Sequence, residues 1–445
     1  MLKRVLGQLW RMTKTASEAG PSKESADAAL HKVQTGRVDD QRPSDSVERP
    51  KYQRVKTQKY AMLLGYQGKD YYGMQVQKDG LATIEGEVLD AFLKLGWITP
   101  ELRRVPFDFF FQRAARTDRA VSAVRQVISA QMPKSAELPE NGAAAMNSVL
   151  PPAIRVFGFR RTTTSFHSQK NCDYRTYSYT LPTFAFAKPD ELTTADFRIS
   201  QKTVEQVNGV LSQYKGTHNF YNYTSKRSFE DRSSFRYIIA FDCGEPFIHR
   251  DELRQQDVEF ITCKVIGQSF MLHQIRKMMG MAIAVIREVQ HRSAIQKSFV
   301  EKERMDVPRA PGLGLLLERI HYEKYDRTFG NHPPHLPLTN WSPEIESTIE
   351  RFRKEHILNE ILDEEIRSQS MLQWLSGLSN HDFLSSDDES CPKQSFVAMA
   401  AATAKKAEEA ARPMEAAGEM AAKMESGDGE EKQGKERQAD QLPAT

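Results

Sequence analysis

Asp118 stands between two arginines in the run Arg113-Ala114-Ala115-Arg116-Thr117-Asp118-Arg119-Ala120-Val121-Ser122-Ala123. Small residues on either side let backbone and substrate approach closely. The flanking guanidiniums can contact phosphate and favour the charged form of the carboxylate. An exposed loop with a solvated ion pair has the same composition, so spacing alone leaves both readings open. A second group lies in the segment Cys172–Leu181, where strand periodicity puts Arg175, Tyr177 and Tyr179 on one face. A third is Phe270–Ile286, read as a helix in which His273, Arg276, Lys277 and Gly280 share a face. Phe270, Gln274, Met278, Met281 and Val285 make up much of the other, mostly apolar face. The blander alternatives are a core aromatic for Tyr177 and a solvated basic helix surface for Arg276, with His273 a hydrogen-bonded structural residue. Further bases, namely Arg155 with Arg160 and Arg161, Lys215 with His218, and Lys226 with Arg227, would supply phosphate contacts. Arg351, Arg353 and Lys354 extend that patch unless they only solvate a helix surface. Gly312-Leu313-Gly314 is no dinucleotide fingerprint, because no third glycine follows at the needed spacing.

These residues need elements to position them. Alternation of large and small residues predicts strands at Lys59–Tyr66, Gln126–Met132, Ile154–Arg160, Cys172–Leu181, Ser233–Asp242 and Val258–Ile266. Thr83 caps a helix carrying Val88, Leu89, Phe92 and Leu95, and further helices are predicted at Glu140–Leu150, Gln201–Gln213 and Phe270–Ile286. Strands and helices interleave with several adjacent strand pairs, which favours an α+β fold with a mixed sheet. Ser342-Pro343-Glu344 opens a later helical stretch, a cap followed by proline at the first helical position.

With 445 residues, 39% of them hydrophobic and 27% charged, the chain can bury a large core. Mean hydropathy is −0.58, and no apolar run approaches the ~20 residues of a membrane span. The formal net charge of +3 hides a split. From Asp387 onward there are 13 acids against 8 bases, a net of −5, which leaves +8 on residues 1–386. A basic body with an acidic tail is common among nucleic-acid proteins. Cys172, Cys243, Cys263 and Cys391 are widely spaced without a CxxC pair, so neither a disulfide framework nor a zinc site is expected, and the compartment is read as reducing. Residues 1–14 hold four bases, no acid, and Leu2, Leu6, Leu9 and Trp10 on one helical face. This fits an amphipathic mitochondrial presequence better than a secretory signal, a frayed basic terminus being the alternative. The polar remainder of 1–55 and the Ala/Glu/Lys-rich stretch 385–445 read as disordered.

Ala115-Arg116-Thr117-Asp118-Arg119-Ala120-Val121-Ser122-Ala123 resembles the G-R-T-D-x-G-V-x-A signature of the TruA-type pseudouridine synthases. Tyr71-Tyr72-Gly73-Met74-Gln75 is similar to that family's Y-x-G-x-Q element, and Arg175-Thr176-Tyr177 to its R-x-Y strand. Gly267–Met278 resembles the G-x-S-F-L-x-H-x-I/V-R helix entry, and Ala310–Leu315 the closing P-x-x-G-L-x-L strand. Lys215–Phe220 and the length of the inserts look like the eukaryotic branch.

The resemblance implies the pseudouridine synthase fold: two α/β, ferredoxin-like lobes (about 56–165 and 166–330) sharing a mixed central sheet with the active-site cleft between them. A helical extension (331–384) and the acidic tail follow. It implies isomerisation of uridine to pseudouridine in tRNA, in or beside the anticodon stem at positions twenty-seven and twenty-eight, with some mRNA and small nuclear RNA. Asp118 is then the nucleophile, Tyr177 stacks on the flipped base and helps as general acid or base, and Arg276 forms an ion pair with Asp118. Arg116, which fills the space the base vacates, Arg119, Arg175, Lys215, His218, His273 and Lys277 meet RNA. The chemistry breaks the N1–C1′ bond and rejoins the ring through C5, so no cofactor and no metal are called for. The partner is RNA, with no membrane, and the chain is a monomer or homodimer. Nucleus and mitochondrion are the expected compartments, the cytoplasm a third, and Met12 can start a shorter product. The rival reading is a non-catalytic RNA-binding or RNA-chaperone protein on the same scaffold. Two signature glycines are replaced, by Ala115 and Ala120, and Arg125 stands where a small residue is usual. If the position of Ala120 needs φ > 0, alanine costs roughly 1–2 kcal/mol there.

Overall fold

Runs of alternating and β-branched residues pair into one mixed sheet of ten strands. They are β1 (Thr57–Tyr66), β2 (Gln112–Arg113), β3 (Ser122–Pro133), β4 (Ile154–Arg161), β5 (Tyr174–Pro182), β6 (Gly216–Asn219), β7 (Phe235–Cys243), β8 (Phe247–Asp251), β9 (Gln256–Gly267) and β10 (Leu315–His321). This computed structural model describes residues 56–383 apart from Asp79, 135–137, Leu192, Lys226, Leu253, Glu303 and Asp382. The presequence, spacer and tail readings for 1–55 and 385–445 lie outside the described residues.

The strand order is β4-β1-β3-β10-β5-β9-β7-β6, with β2 beside β3 and β8 beside β9. The β3–β10 pair is parallel and the other pairs are antiparallel. The last strand in sequence therefore sits in the middle of the sheet. One row across the centre runs Ala123, Leu317, Tyr177, Val265. The loop before β3, which carries Asp118, and strand β5, which carries Arg175 and Tyr177, are thus separated by a single strand.

Helices cover the two ends of the sheet. Helix α1 (Ile84–Lys94) starts where the Thr83 hydroxyl accepts from the Gly86 amide at 3.2 Å, and it buries Ile84, Val88, Leu89 and Phe92. Helix α2 (Leu138–Val149) is held to β4 by the Asn147 amide, which exchanges hydrogen bonds of 2.8 and 2.9 Å with the Val156 backbone. Helices α3 (Gln201–Leu211) and α4 (Gln274–Ile286) pack at the other end. The predicted start of α4 at Phe270 is four residues too early, since the helix begins at Gln274. His273 has φ +64°, a left-handed conformation that cannot continue a helix, so Phe270–His273 form a turn ahead of it. The expected closing strand also moves: Ala310–Gly314 is a loop, and pairing begins at Leu315.

The late helices α5 (Pro343–Phe352) and α6 (Asn359–Ser368) are docked by charge and aromatic contacts. Arg125 pairs with Glu346, which explains the large residue at that position. Arg353 pairs with Glu318 at 3.1 Å, and Glu318 also accepts from the Ser178 hydroxyl at 2.7 Å. The rings of Phe352 and Phe157 meet edge to face at 5.7 Å. Arg160 lies 3.9 Å above the Trp341 ring and donates to the Asn340 carbonyl at 2.7 Å, while Arg155 donates to the Pro151 and Ile154 carbonyls. Arg353, Arg160 and Arg155 thus hold protein, not the RNA patch expected of them.

Cys243 and Cys263 are a correction as well. They are twenty residues apart, but the β7–β9 register sets them directly opposite and they form a disulfide. Sequence spacing could not show a pairing created by strand register. Among the described residues no helix is long and apolar enough to cross a membrane.

Gly158 on β4 is the seat for Trp341, whose ring would lie 2.5 Å from a Cβ at that position. Gly158→Ala is expected to destabilise the chain by about 1–3 kcal/mol through overpacking. In a Trp341→Ala background the same change should cost under about half as much, read as urea midpoints. Equal costs in both backgrounds would show that Trp341 does not dock there.

Candidate active site

The Asp118 loop is held from three sides by groups that leave its carboxylate free. The Tyr66 hydroxyl and Thr117 Oγ1 share a buried hydrogen bond of 2.9 Å. The Gln126 amide clamps Ala115 from β3, accepting from its N–H at 3.2 Å and donating to its carbonyl at 2.9 Å. Arg175, buried on β5, donates to the Ala114 carbonyl at 2.8 Å and to the Gln268 carbonyl at 2.7 Å. On the outer side Gly73, at φ +98°, lets the 71–74 segment lie against the loop; a Cβ there would meet the Thr117 carbonyl at 2.7 Å. The Met74 N–H then donates to that same carbonyl at 3.2 Å.

A tight turn follows. The Val121 N–H donates to the Asp118 carbonyl at 3.2 Å, and Ala120 sits at φ +62° with its N–H on the Tyr71 carbonyl. The position matched to a family glycine therefore does require left-handed backbone, and alanine bears the strain.

Asp118 opens on a cavity of about 580 Å³ whose lining includes Arg116, Arg175, Tyr177, Phe270, His273 and Arg276. Tyr177 is 6% exposed, with the Phe270 ring edge-on at 5.2 Å. Burial pushes its hydroxyl far above the ordinary phenol range, so the ring keeps its proton at neutral pH. Arg276 lies in the same lining, but its Nε donates to the Ala310 carbonyl at 2.8 Å, alongside Gly312. Among the described residues the ionisable partner of Asp118 is instead His273, Nε2 to Oδ2 3.9 Å. Burial lowers the pKa of His273, the Asp118 charge opposing that shift, and Arg309 lies 3.3 Å from its Nδ1. The expected Arg276–Asp118 ion pair is thus not formed. The guanidinium is drawn to a nearer carbonyl, and the left-handed turn at His273 aims the imidazole at the carboxylate.

The other expected contacts divide. Arg116 and Arg119 are exposed beside Asp118, and Arg119 stacks over the Tyr72 ring at 4.6 Å. Arg175 reaches the cavity wall, but its guanidinium is taken by two carbonyls. Lys215, His218 and Lys277 do not line the cavity. His218 donates to the Lys215 carbonyl at 2.8 Å and stacks on Phe299 at 4.2 Å, and Lys277 donates to the Asn222 carbonyl at 3.2 Å. Burial lowers the Lys277 ammonium to about 8. His218 and Lys277 are thus engaged within the protein, whereas the Lys215 side chain is exposed away from the cavity. Lys226 lies outside the described residues, whereas Arg227 and Arg236 do line the cavity. Gln126 had no sequence signal, since its work is done by an amide buried in an apolar strand.

Residues 210–323 match the family described as tRNA pseudouridine synthase. The chain is 43% identical over 325 residues to the human pseudouridylate synthase 1 homolog, covering 72% of this chain and 73% of that one. The mouse protein of the same name is 42% identical over 328 residues, covering 73% and 74%. The chain belongs to the TruA-type pseudouridine synthases, a family of isomerases. A tRNA pseudouridine synthase 1 of Yarrowia lipolytica is 31% identical over 408 residues, covering 72% of this chain and 73% of that one.

Within this family frame Ala120 is the informative departure. Left-handed alanine costs roughly 1–2 kcal/mol, and glycine would return about 0.4–1 kcal/mol of that as unfolded-chain freedom. Ala120→Gly should therefore stabilise the chain by about 1 kcal/mol in urea unfolding. A loss of stability would mean that the left-handed turn does not exist in solution.

Proposed function

We propose that this chain isomerises uridine to pseudouridine in tRNA, with target uridines in or beside the anticodon stem at positions twenty-seven and twenty-eight, and that some mRNA and small nuclear RNA sites are also used. The reading rests on one observation above the rest. Asp118, Tyr177, Arg116 and Arg276 come from three separate segments and meet at one cavity. The two groups of helices are read as the two ferredoxin-like lobes, with this cavity between them.

A stacked uridine must be turned out of its helix to reach Asp118. Tyr177 then offers a ring to the base, and Arg116, exposed at the rim, takes the vacated space. Asp118 acts as nucleophile while the N1–C1′ bond breaks. The uracil turns, C5 bonds to C1′ as the Asp118 carboxylate is released from it, C5 loses its proton and N1 gains one. A phenol that keeps its proton acts first as a hydrogen-bond donor to the base; it accepts a proton only after giving up its own. Arg276 supplies positive potential near the carboxylate, while His273, which burial keeps neutral at neutral pH, faces it without a tight pair, so the carboxylate oxygens stay open to the sugar.

Release of tritium from tRNA labelled at uridine C5 tests this directly. Wild type should release it, and Asp118→Ala should lose at least about a thousandfold in kcat while still binding tRNA. Wild type that binds tRNA but releases nothing would favour the non-catalytic RNA-binding reading. For location, the basic amphipathic start at residues 1–14 supports a mitochondrial form beside a nuclear one. A reporter fused to residues 1–20 should enter mitochondria, and a purely cytosolic signal would refute it.

A further inference from the structure

Asp118 belongs to two cavities, and the function above uses only one. On the outer side of the loop lies a second space of about 500 Å³, lined by Tyr72, Gln75, Val76 and Gln77 across from Arg116 and Arg119. Arg116, Thr117, Asp118, Leu272 and His273 line both cavities, so they form the wall between them.

The outer space is furnished for a flat, partly polar ligand. Tyr72 is 36% exposed with Arg119 over its ring, a cationic-aromatic platform. Val76 and Leu272 add exposed apolar surface. Among the described residues the Gln75 side-chain amide has no hydrogen-bond partner, so a donor and an acceptor are available at the edge of the platform. Arg116 on the dividing wall likewise has no partner among the described residues.

This platform is fixed relative to Asp118. The Tyr72 N–H donates to the Ala82 carbonyl at 2.8 Å, and the Val76 N–H to Glu85 Oε2 at 3.1 Å. The Gln77 amide closes the segment on the Tyr72 carbonyl at 2.6 Å. Together with the Met74–Thr117 and Ala120–Tyr71 hydrogen bonds, these leave little freedom between the two cavities.

We infer that the outer cavity is a second base site, which holds the nucleobase adjacent in the strand to the reacting uridine. That base stacks on the Arg119 guanidinium, which itself rests on the Tyr72 ring, and the Gln75 amide reads its edge. The inference rests on the proposed RNA substrate. With the uridine in the inner cavity and its neighbour in the outer one, Arg116 on the wall meets the phosphate that joins them. Stacking tolerates any base, while an amide selects among edges, so this site supplies affinity through Arg119 on Tyr72 and preference through Gln75.

The test uses the full chain and an anticodon stem-loop RNA made intact, or abasic at the 5′ or the 3′ neighbour of the target. Kd by fluorescence anisotropy and turnover by tritium release are read together. Tyr72→Ala should weaken Kd and raise KM roughly 5- to 100-fold on intact RNA, with a much smaller change in kcat. Tyr72→Phe, which keeps the ring, should restore wild-type values. On RNA abasic at one of the two neighbours, Tyr72→Ala should add no further loss, and Gln75→Leu should flatten the base preference at that neighbour only. Penalties for Tyr72→Ala that add in full to both abasic substitutions, or a Tyr72→Ala protein equal to wild type on intact RNA, overturn the inference. Wild type that lacks turnover but keeps the coupling in Kd overturns the catalytic reading and leaves the base site standing.

Discussion

The width of the site depends on one buried guanidinium. Arg175 is 9% exposed on the central strand β5 and has no carboxylate partner among the described residues. Burying an unpaired charge costs several kcal/mol. Two charge-assisted hydrogen bonds, to the carbonyls of Ala114 and Gln268, offset it at about 1.5–3 kcal/mol each. Ala114 leads into the Asp118 loop, and Gln268 leads into the turn that carries His273. A single side chain thus spans two segments about 150 residues apart in sequence and sets the gap across which Asp118 and His273 face each other. The insertion of β10 between β3 and β5 does the same at the level of backbone.

Around that clamp the backbone is strained where it aims chemistry. Ala120 and His273 are both non-glycine residues with positive φ. Each ends a regular path abruptly, the first to turn the chain from Asp118 into β3, the second to start α4 after the imidazole has been presented. Left-handed residues persist when their surroundings over-determine them, and they gather at functional sites. Here the over-determination can be named: the Ala120 amide is held by Tyr71, and the turn ahead of α4 is closed by Gln274 Oε1, which accepts from the Met271 N–H at 2.9 Å.

What was legible in the sequence follows from what is local. The long strands and helices obey periodicities that burial enforces, so β1, β3, β5, β9 and the apolar face of α4 could be read with errors only at their ends. β6 and β8 could not, because four- and five-residue strands at the margin of a sheet carry too few alternations. Asp118 and Tyr177 were legible because their motifs mark a loop and a strand. The partner of Arg276 was not. A guanidinium chooses between a carboxylate and a carbonyl by geometry of a few ångströms, and that choice is made by the loop around Gly312, far away in sequence. The Cys243–Cys263 pairing is of the same kind, a product of register between strands.

The charge of the body needs the same distinction. A surplus of bases raises the long-range potential that draws RNA in, but a base already bound to protein contributes little close contact. Arg125, Arg155, Arg160, Arg175, Lys277 and Arg353 are each engaged with a carboxylate or a carbonyl. Several of them hold the late helices or the site walls together. Arg116 and Arg119 flank the carboxylate without hydrogen bonds or ion pairs to the described residues, Arg119 only resting on an aromatic ring. The division of labour is therefore spatial. Many of the basic residues singled out in the sequence hold the fold together, whereas Arg116 and Arg119, within two residues of Asp118, are left free to meet the proposed RNA substrate beside the carboxylate.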